Sequence, residues 1–344
     1  MRGNTAYVAA RAKSRKSSLA DKARLRQLIR QSPDQLTVAV GDMGYRNEID
    51  LYAGKLSGGD LVEAALTHNL EVELVEILRM CNPKIKPLIS VYTMRFEYQN
   101  AKVVLRSVLN DVEIDKVKHS ILPAINDINT PWLAIIEDSD TLRNAALAMK
   151  RKSFGQALAK LPENASLYDY EDALDRHYFN EALKALSGSD QATKFARKLL
   201  ALEIDHKNIL NILEAKSVGI GGDTLANSLL TGGRLVPPRS FNTVTSGGRD
   251  SLLDVLRSNG QFDMAEFEEK LKQSDERRSL DPIVTWFKQR EHDFMAKMSF
   301  LHPISALPII HYVAMKVEEV NDLRIIVRGL LAGLPVEVID EHVL

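Results

Sequence analysis

The sequence predicts an all-α protein of three similar helical units. Apolar residues fill 45% of its 344 positions, enough for a sizeable core. Aromatics reach only 6%, and Gly (18) and Pro (12) are scarce, so the chain lacks the turn residues and aromatics that sandwiches and barrels use. Apolar residues recur at helical spacing through most of the chain, and no stretch shows a convincing two-residue alternation. A short pattern of acid, amide and apolar residues occurs three times at nearly constant separation.

Residues 1–30 carry nine Lys/Arg against the single acid Asp21, and a helical pattern runs through 19–31. Asp60 and Glu63 stand at capping-box spacing and open a helix in which Val62, Leu66, Leu70, Leu74 and Leu78 follow at four-residue intervals; Asn82-Pro83 stops it. Further helical patterns fall near 87–110, 140–160, 170–187 and 190–216. Val218 to Asp250 breaks the run, because seven glycines, the Pro237-Pro238 pair and several Ser/Thr mark a linker or long functional loop. Helical patterns resume near 263–274, 284–299 and 306–332. Residues 315–344 hold three Lys/Arg and six Asp/Glu, so the two ends differ in sign beneath a formal net charge of −1.

The recurring pattern reads Arg95-Phe-Glu97-Tyr-Gln-Asn100-Ala-Lys-Val-Val-Leu-Arg106, then Glu203-Ile-Asp205-His-Lys-Asn208-Ile-Leu-Asn-Ile-Leu-Glu214, then Val317-Glu-Glu319-Val-Asn-Asp322-Leu-Arg-Ile-Ile-Val-Arg328. Asn100 and Asn208 are 108 residues apart, and Asn208 and Asp322 are 114 apart. Three tandem units of about 110–115 residues fit the length. They fall at 1–115, 116–225 and 226–344, the last opening with the glycine- and proline-rich stretch 218–250. On a helix turning about 100° per residue, Ala101, Val104, Leu105 and their equivalents form one apolar stripe. Glu97, Asp205 and Glu319 lie inside that stripe, and Asn100, Asn208 and Asp322 near its border. A carboxylate facing a core needs hydrogen bonds or a cation, or its pKa rises. Its recurrence therefore predicts a structural device tying each helix to a neighbour. The sixth position, Arg106 and Arg328, points away from the stripe, free to face solvent, a cavity or a partner.

Several classes of chemistry are excluded by residue types. The single Cys81 leaves no internal disulfide and no CxxC site, and reads as a packed or partly exposed thiol. No run of about 18 apolar residues is present; Ile304 to Met315 is broken by Pro308 and His311. The basic start has no apolar h-region after it, so no secretory signal is visible. Near-zero net charge gives no global pull toward nucleic acid. Gly219-Ile-Gly221-Gly222-Asp-Thr lacks the lysine of a phosphate-binding loop and reads as a plain loop. No HExxH occurs, Glu291-His292 is isolated, and the eight histidines never pair at metal spacing within a helix. His206, beside Asp205, reads as a solvated helix histidine. No catalytic, cofactor or metal site is expected. Arg11, Lys13, Arg15 and Lys16 form either an ordinary solvated helix end or a face for an acidic partner or lipid headgroups.

Four segments resemble the C subunit family of archaeal and bacterial A/V-type ATP synthases, to which the eukaryotic V-ATPase d subunit is more distantly related. These are Tyr7-Val-Ala-Ala-Arg11-Ala-Lys-Ser-Arg-Lys; Ala173-Leu-Asp175-Arg-His-Tyr178-Phe179 with Glu203-Ile-Asp205-His-Lys-Asn208-Ile; Thr231-Gly-Gly-Arg-Leu235; and Glu318-Glu-Val-Asn-Asp-Leu-Arg324-Ile-Ile-Val-Arg328-Gly329-Leu-Leu-Ala-Gly333-Leu. They cover the chain in order. Asp322 and Glu214 depart from the Asn and Arg more usual there. The resemblance implies a funnel-shaped protein with approximate threefold pseudosymmetry. It implies a non-catalytic rotor subunit, peripheral on the cytoplasmic face of the membrane, that receives the central stalk of D and F subunits and rests on the proteolipid ring. The alternative from the residues alone is a helical-repeat scaffold or regulatory adaptor outside such a complex.

Overall fold

In the computed structural model, residues 2–118, 121, 126–215, 220, 222–260 and 262–343 are described, and among them the regular structure is helical. In chain order the helices are α1 (Arg2–Lys16), α2 (Lys22–Ile29), α3 (Leu36–Val40), α4 (Arg46–Tyr52), α5 (Gly58–Met80), α6 (Lys86–Leu109), α7 (Ile114–Val117), α8 (Asn126–Glu137), α9 (Leu142–Ala148), α10 (Gly155–Ala159), α11 (Leu167–Ala185), α12 (Gln191–Ala215), α13 (Gly222–Ser228), α14 (Phe241–Arg257), α15 (Met264–Arg277), α16 (Asp281–Leu301), α17 (Leu307–Leu331) and α18 (Val336–His342). The chain divides into two compact units, one of residues 1–178 with 302–344 and the other of residues 179–301.

The first unit is built around α17. Pro308 sits in its first turn, where a missing N–H costs nothing. Ile309, Ile310, Tyr312, Val313, Val320, Leu323, Ile326 and Val327 are buried along it. Helices α1, α2, α5, α6 and α18 pack against it, so elements from both ends of the chain share one core. Each fully buried Leu, Ile or Val there contributes roughly 1.5–3 kcal/mol of hydrophobic stabilisation. Helix α5 begins two residues before the expected cap: Ser57 is the N-cap and Asp60 lies in the first turn. Glu63 does not close a capping box, because it reaches across to α17 instead. The helix ends as predicted, where the Asn82 carboxamide oxygen accepts from the N–H groups of Lys84 and Ile85 and turns the chain through Pro83.

The second unit concentrates the scarce aromatics. Phe262, Phe267, Trp286 and Phe287 form one contact cluster with ring centroids 5.3–6.1 Å apart. Ile209, Ile212, Val244, Leu252, Leu256 and Leu271 complete the core. The stretch 218–250, expected as a linker or loop, is helical over 222–228 and from 241 onward; residues 216–219 and 221 lie outside the described residues. Phe241, Val244, Leu252 and Leu256 supply buried anchors to α14, and their spacing is obscured in sequence by Gly247-Gly248, where the helix kinks.

Candidate functional site

All three recurring segments lie on the long helices α6, α12 and α17, and the amide position is buried in each: Asn100 at 4% exposure, Asn208 at 0% and Asp322 at 4%. The acid position is buried in two. Asp205 and Glu319 lie inside the stripe as expected, but the Glu97 side chain is 41% exposed and pairs with the partly exposed ammonium of Lys152, 3.1 Å away. What differs is the neighbour that returns to the helix.

Opposite Asp205 comes the turn 230–236. The Asp205 carboxylate accepts from the backbone N–H groups of Arg234 (2.8 Å), Leu235 (2.9 Å) and Val236 (3.2 Å). Asn208, one helical turn on, donates to the Leu230 carbonyl and accepts from the Leu230 N–H, both at 2.8 Å. The turn can reach the carboxylate because Gly232 takes φ +109° and because a Cβ on Gly233 would stand 2.3 Å from Asp205 Oδ1. Burial still raises the Asp205 pKa from its ordinary value, outweighing the three N–H donors that lower it.

Opposite Glu319 come two other segments. The carboxylate accepts from the Ala20 N–H (2.7 Å), the Tyr45 hydroxyl (2.7 Å) and the Lys316 ammonium (2.8 Å). Lys316 also donates to the Tyr45 oxygen at 2.9 Å and lies over its ring, 4.3 Å from the centroid. Tyr45 is presented by a π-helical turn at residues 41–45, and burial together with Glu319 holds its hydroxyl protonated far above the usual range.

The motif helices also share their partner helices in register. Between α6 and α11, the Tyr98 hydroxyl lies 2.8 Å from His177 Nδ1, Lys102 pairs with Asp175 at 2.7 Å, and Arg106 grips Glu171 with two donors at 2.5 and 2.9 Å. Between α17 and α5, Arg324 donates to Thr67 (2.6 Å) and lies 3.2 Å from Glu63, while Arg328 pairs with Glu63 at 2.6 Å. Between α12 and α16, His206 Nδ1 lies 2.5 Å from Glu291. The offsets of 108 and 114 residues that relate the motifs also carry Glu63 to Glu171, Thr67 to Asp175, Tyr98 to His206 and His177 to Glu291. Arg106 and Arg328 thus have exposed guanidiniums, as expected, but are committed to carboxylates of a neighbouring helix. In the third pair Glu214 replaces the arginine, and the position opposite by register is Thr285 rather than an acid. This partner-helix register is a signal that the sequence reading missed.

His206 corrects the expectation of a solvated histidine. It is 3% exposed and stacks on Phe287, with centroids 4.0 Å apart and planes 7° from parallel. Nε2 has no partner, so a second proton there would be a buried, unsatisfied donor. Burial, aided by Arg290, pushes its pKa down to about 3, against the pull of Asp205 and Glu203. Cys81 is a buried thiol pushed up to about 11 by burial, as the packed reading requires. In the basic N-terminal group, Arg11, Lys13 and Lys16 are exposed, whereas Arg15 turns onto α5 and pairs with Glu73 (2.6 Å) and Glu76. Arg15 sits at the edge of the face that buries Val8 and Ala12, which sets its direction.

These features define an all-helical protein in which a recurring buried polar device pins loops to long helices through register-matched pairs. Among the described residues no helix is long and apolar enough to cross a membrane, and no group of three or more His, Cys, Asp or Glu could hold a metal ion. The chain belongs to the ATP synthase (C/AC39) subunit family, whose sequence model matches residues 8–342. It is similar to the C subunit of the A-type ATP synthase of Haloquadratum walsbyi, with 29% identity over 96% of this chain and 95% of that protein. The C subunits of the A-type enzymes of Methanosarcina acetivorans (28% identity; 96% and 90% covered) and Halorubrum lacusprofundi (26%; 98% and 97%) are similar over the same extent.

Proposed function

We propose that the chain is a non-catalytic central-rotor subunit of an A/V-type ATP synthase. It couples the central stalk of D and F subunits to the membrane proteolipid ring at the cytoplasmic face, for ATP synthesis or hydrolysis linked to proton or sodium transport. One observation supports this beyond family membership. The buried motif groups are engaged in holding the protein's own backbone: Asp205 on three N–H groups, Asn208 on both polar atoms of Leu230, and Glu319 on the Ala20 N–H. A part that transmits torque needs stiffness, and pinning each of these loops to a packed 25-residue helix supplies it.

The three-unit organisation is part of the same proposal. Helix α6 pairs with α11, α12 with α16, and α17 with α5, so each motif helix takes its partner from the next unit in sequence and the third takes it from the first. That cyclic order is what approximate threefold pseudosymmetry requires.

The test is a pull-down of the tagged chain from solubilised native membranes, read by mass spectrometry. Recovery of the proteolipid together with D and F stalk subunits is expected. Recovery of unrelated soluble proteins without ATPase subunits would overturn the coupling role and leave a helical-repeat scaffold.

A further inference from the structure

The second unit contains a cleft of about 480 Å³. Arg234, Arg239, Ser240, Ser258 and Asn259 line it beside the apolar Val255, and none of its lining residues is acidic. Two features of the chain build it. Its first wall is the turn clamped by Asp205, so the Arg234 backbone is fixed by a buried carboxylate while its side chain is exposed. Its second wall lies at the far end of α14. A straight helix of 17 residues would span about 25 Å and keep its two ends apart. Here α14 kinks at Gly248, with φ 61° and ψ −138°, a conformation open only to glycine, and both ends come to line one cleft.

We propose that this cleft binds a small anion carrying two or more phosphoryl charges. Neither the Arg234 nor the Arg239 guanidinium has an acceptor among the described residues, so two like charges share a cleft whose described lining holds no acid. A cleft lined by one sign of charge concentrates counter-ions. The planar guanidinium fork matches phosphate oxygens two at a time, while the Ser240 hydroxyl supplies a neutral donor alongside. The volume falls within the range of small-ligand sites.

Isothermal titration of the full chain with inorganic pyrophosphate at low salt tests this. Saturable one-to-one binding that weakens with added salt is expected. The R234Q/R239Q variant should bind about tenfold more weakly or worse, whereas R11Q/K13Q, which removes as much charge elsewhere, should bind as the parent does. All four side chains are exposed, and far-UV circular dichroism verifies that the variants fold. Backbone amide shifts on adding pyrophosphate to the unaltered chain should map to 234–240 and 255–260. The proposal is overturned by absence of saturable binding, by equal weakening in both variants, by shifts that map elsewhere, or by a glutamate-rich peptide binding more tightly than pyrophosphate. That last result would assign the cleft to an acidic protein segment.

Discussion

Replacing Asp205 with alanine removes the acceptor for three backbone N–H groups at once. Val236 is fully buried, so its N–H has no route to water, while Arg234 is exposed and can be rehydrated. A buried donor left without a partner costs roughly 1–3 kcal/mol, and a hydrogen bond to a charged group contributes about 1.5–3 kcal/mol. The three bonds therefore suggest a gross loss near 5 kcal/mol. Against this, the carboxylate itself is held at a desolvation cost, visible in its raised pKa, and its removal returns part of the loss. A net destabilisation of about 3 kcal/mol follows. The unit concerned spans residues 179–301, so its unfolding entropy is about 0.26 kcal/mol/K and the melting temperature should fall by roughly 10 °C. Far-UV circular dichroism against temperature and urea reads this directly. D205N, which keeps one acceptor oxygen but aims an amide at a donor, should lose about half as much. E97A, at the same register position but partly exposed, should lose under about 0.5 kcal/mol. A D205A protein within that margin of the parent, or an E97A protein as unstable as D205A, would refute the claim that this position works by clamping a loop.

Gly233→Ala should destabilise by about 2 kcal/mol or more, because its Cβ would stand 2.3 Å from Asp205 Oδ1 and the turn would have to leave the carboxylate; an unchanged urea midpoint would show that the turn has room. His206 binds its proton far less readily in the folded chain than in the unfolded one, at about 3 against 6.5, so between those values the unfolded state holds the extra proton and stability rises with pH. The expected slope is about 1.4 kcal/mol per pH unit, it vanishes above about pH 6.5, and H206Q should lack it; imidazole NMR signals that titrate near pH 6.5 for His206 would contradict the buried neutral form. The paired change E214R/T285E should install the ion pair that the other two helix pairs carry, with a coupling of about 0.3–1 kcal/mol in a double-mutant cycle; zero coupling would mean that α12 and α16 do not share that register.

Much of the fold is legible in particular residues. The apolar spacing near 87–110, 190–216 and 306–332 matches α6, α12 and α17 to within a residue or two, because long helices with a wide apolar stripe outvote any local ambiguity. The burial of Asn100, Asn208 and Asp322 follows from their place beside that stripe. The fate of Glu97 does not. In sequence it is the counterpart of Asp205, and only the return of residues 230–236 distinguishes them. His206 misleads for the same reason: its environment is Phe287 and Glu291, some 80 residues away, and nothing adjacent announces them. Within 218–250, Gly247-Gly248 reads as a break because glycine costs about 1 kcal/mol in a helix. Here the break is a kink inside one helical element, anchored on both sides by Val244 and Leu252.

Asp205 and Glu319 perform the same task in opposite chain directions. Asp205 holds a segment 29–31 residues ahead of it, whereas Glu319 holds Ala20, 299 residues behind. Simple tandem duplication would have each motif helix serve a segment later in its own unit. If the three proposed units stand in circular order, the first follows the third, and the segment following α12 has its counterpart at residues 17–21, just past α1. The same proposed order would make α5 the partner of α17, and its Glu63 and Thr67 do lie 108 residues before Glu171 and Asp175. The joint between the two ends of the chain thereby reuses the ion-pair register of the joint between α6 and α11. Of the joints in the proposed three-unit organisation, the one between α17 and the start of the chain has no covalent connection across it, and there Lys316, Glu319 and Tyr45 form a buried polar cluster around the Ala20 N–H.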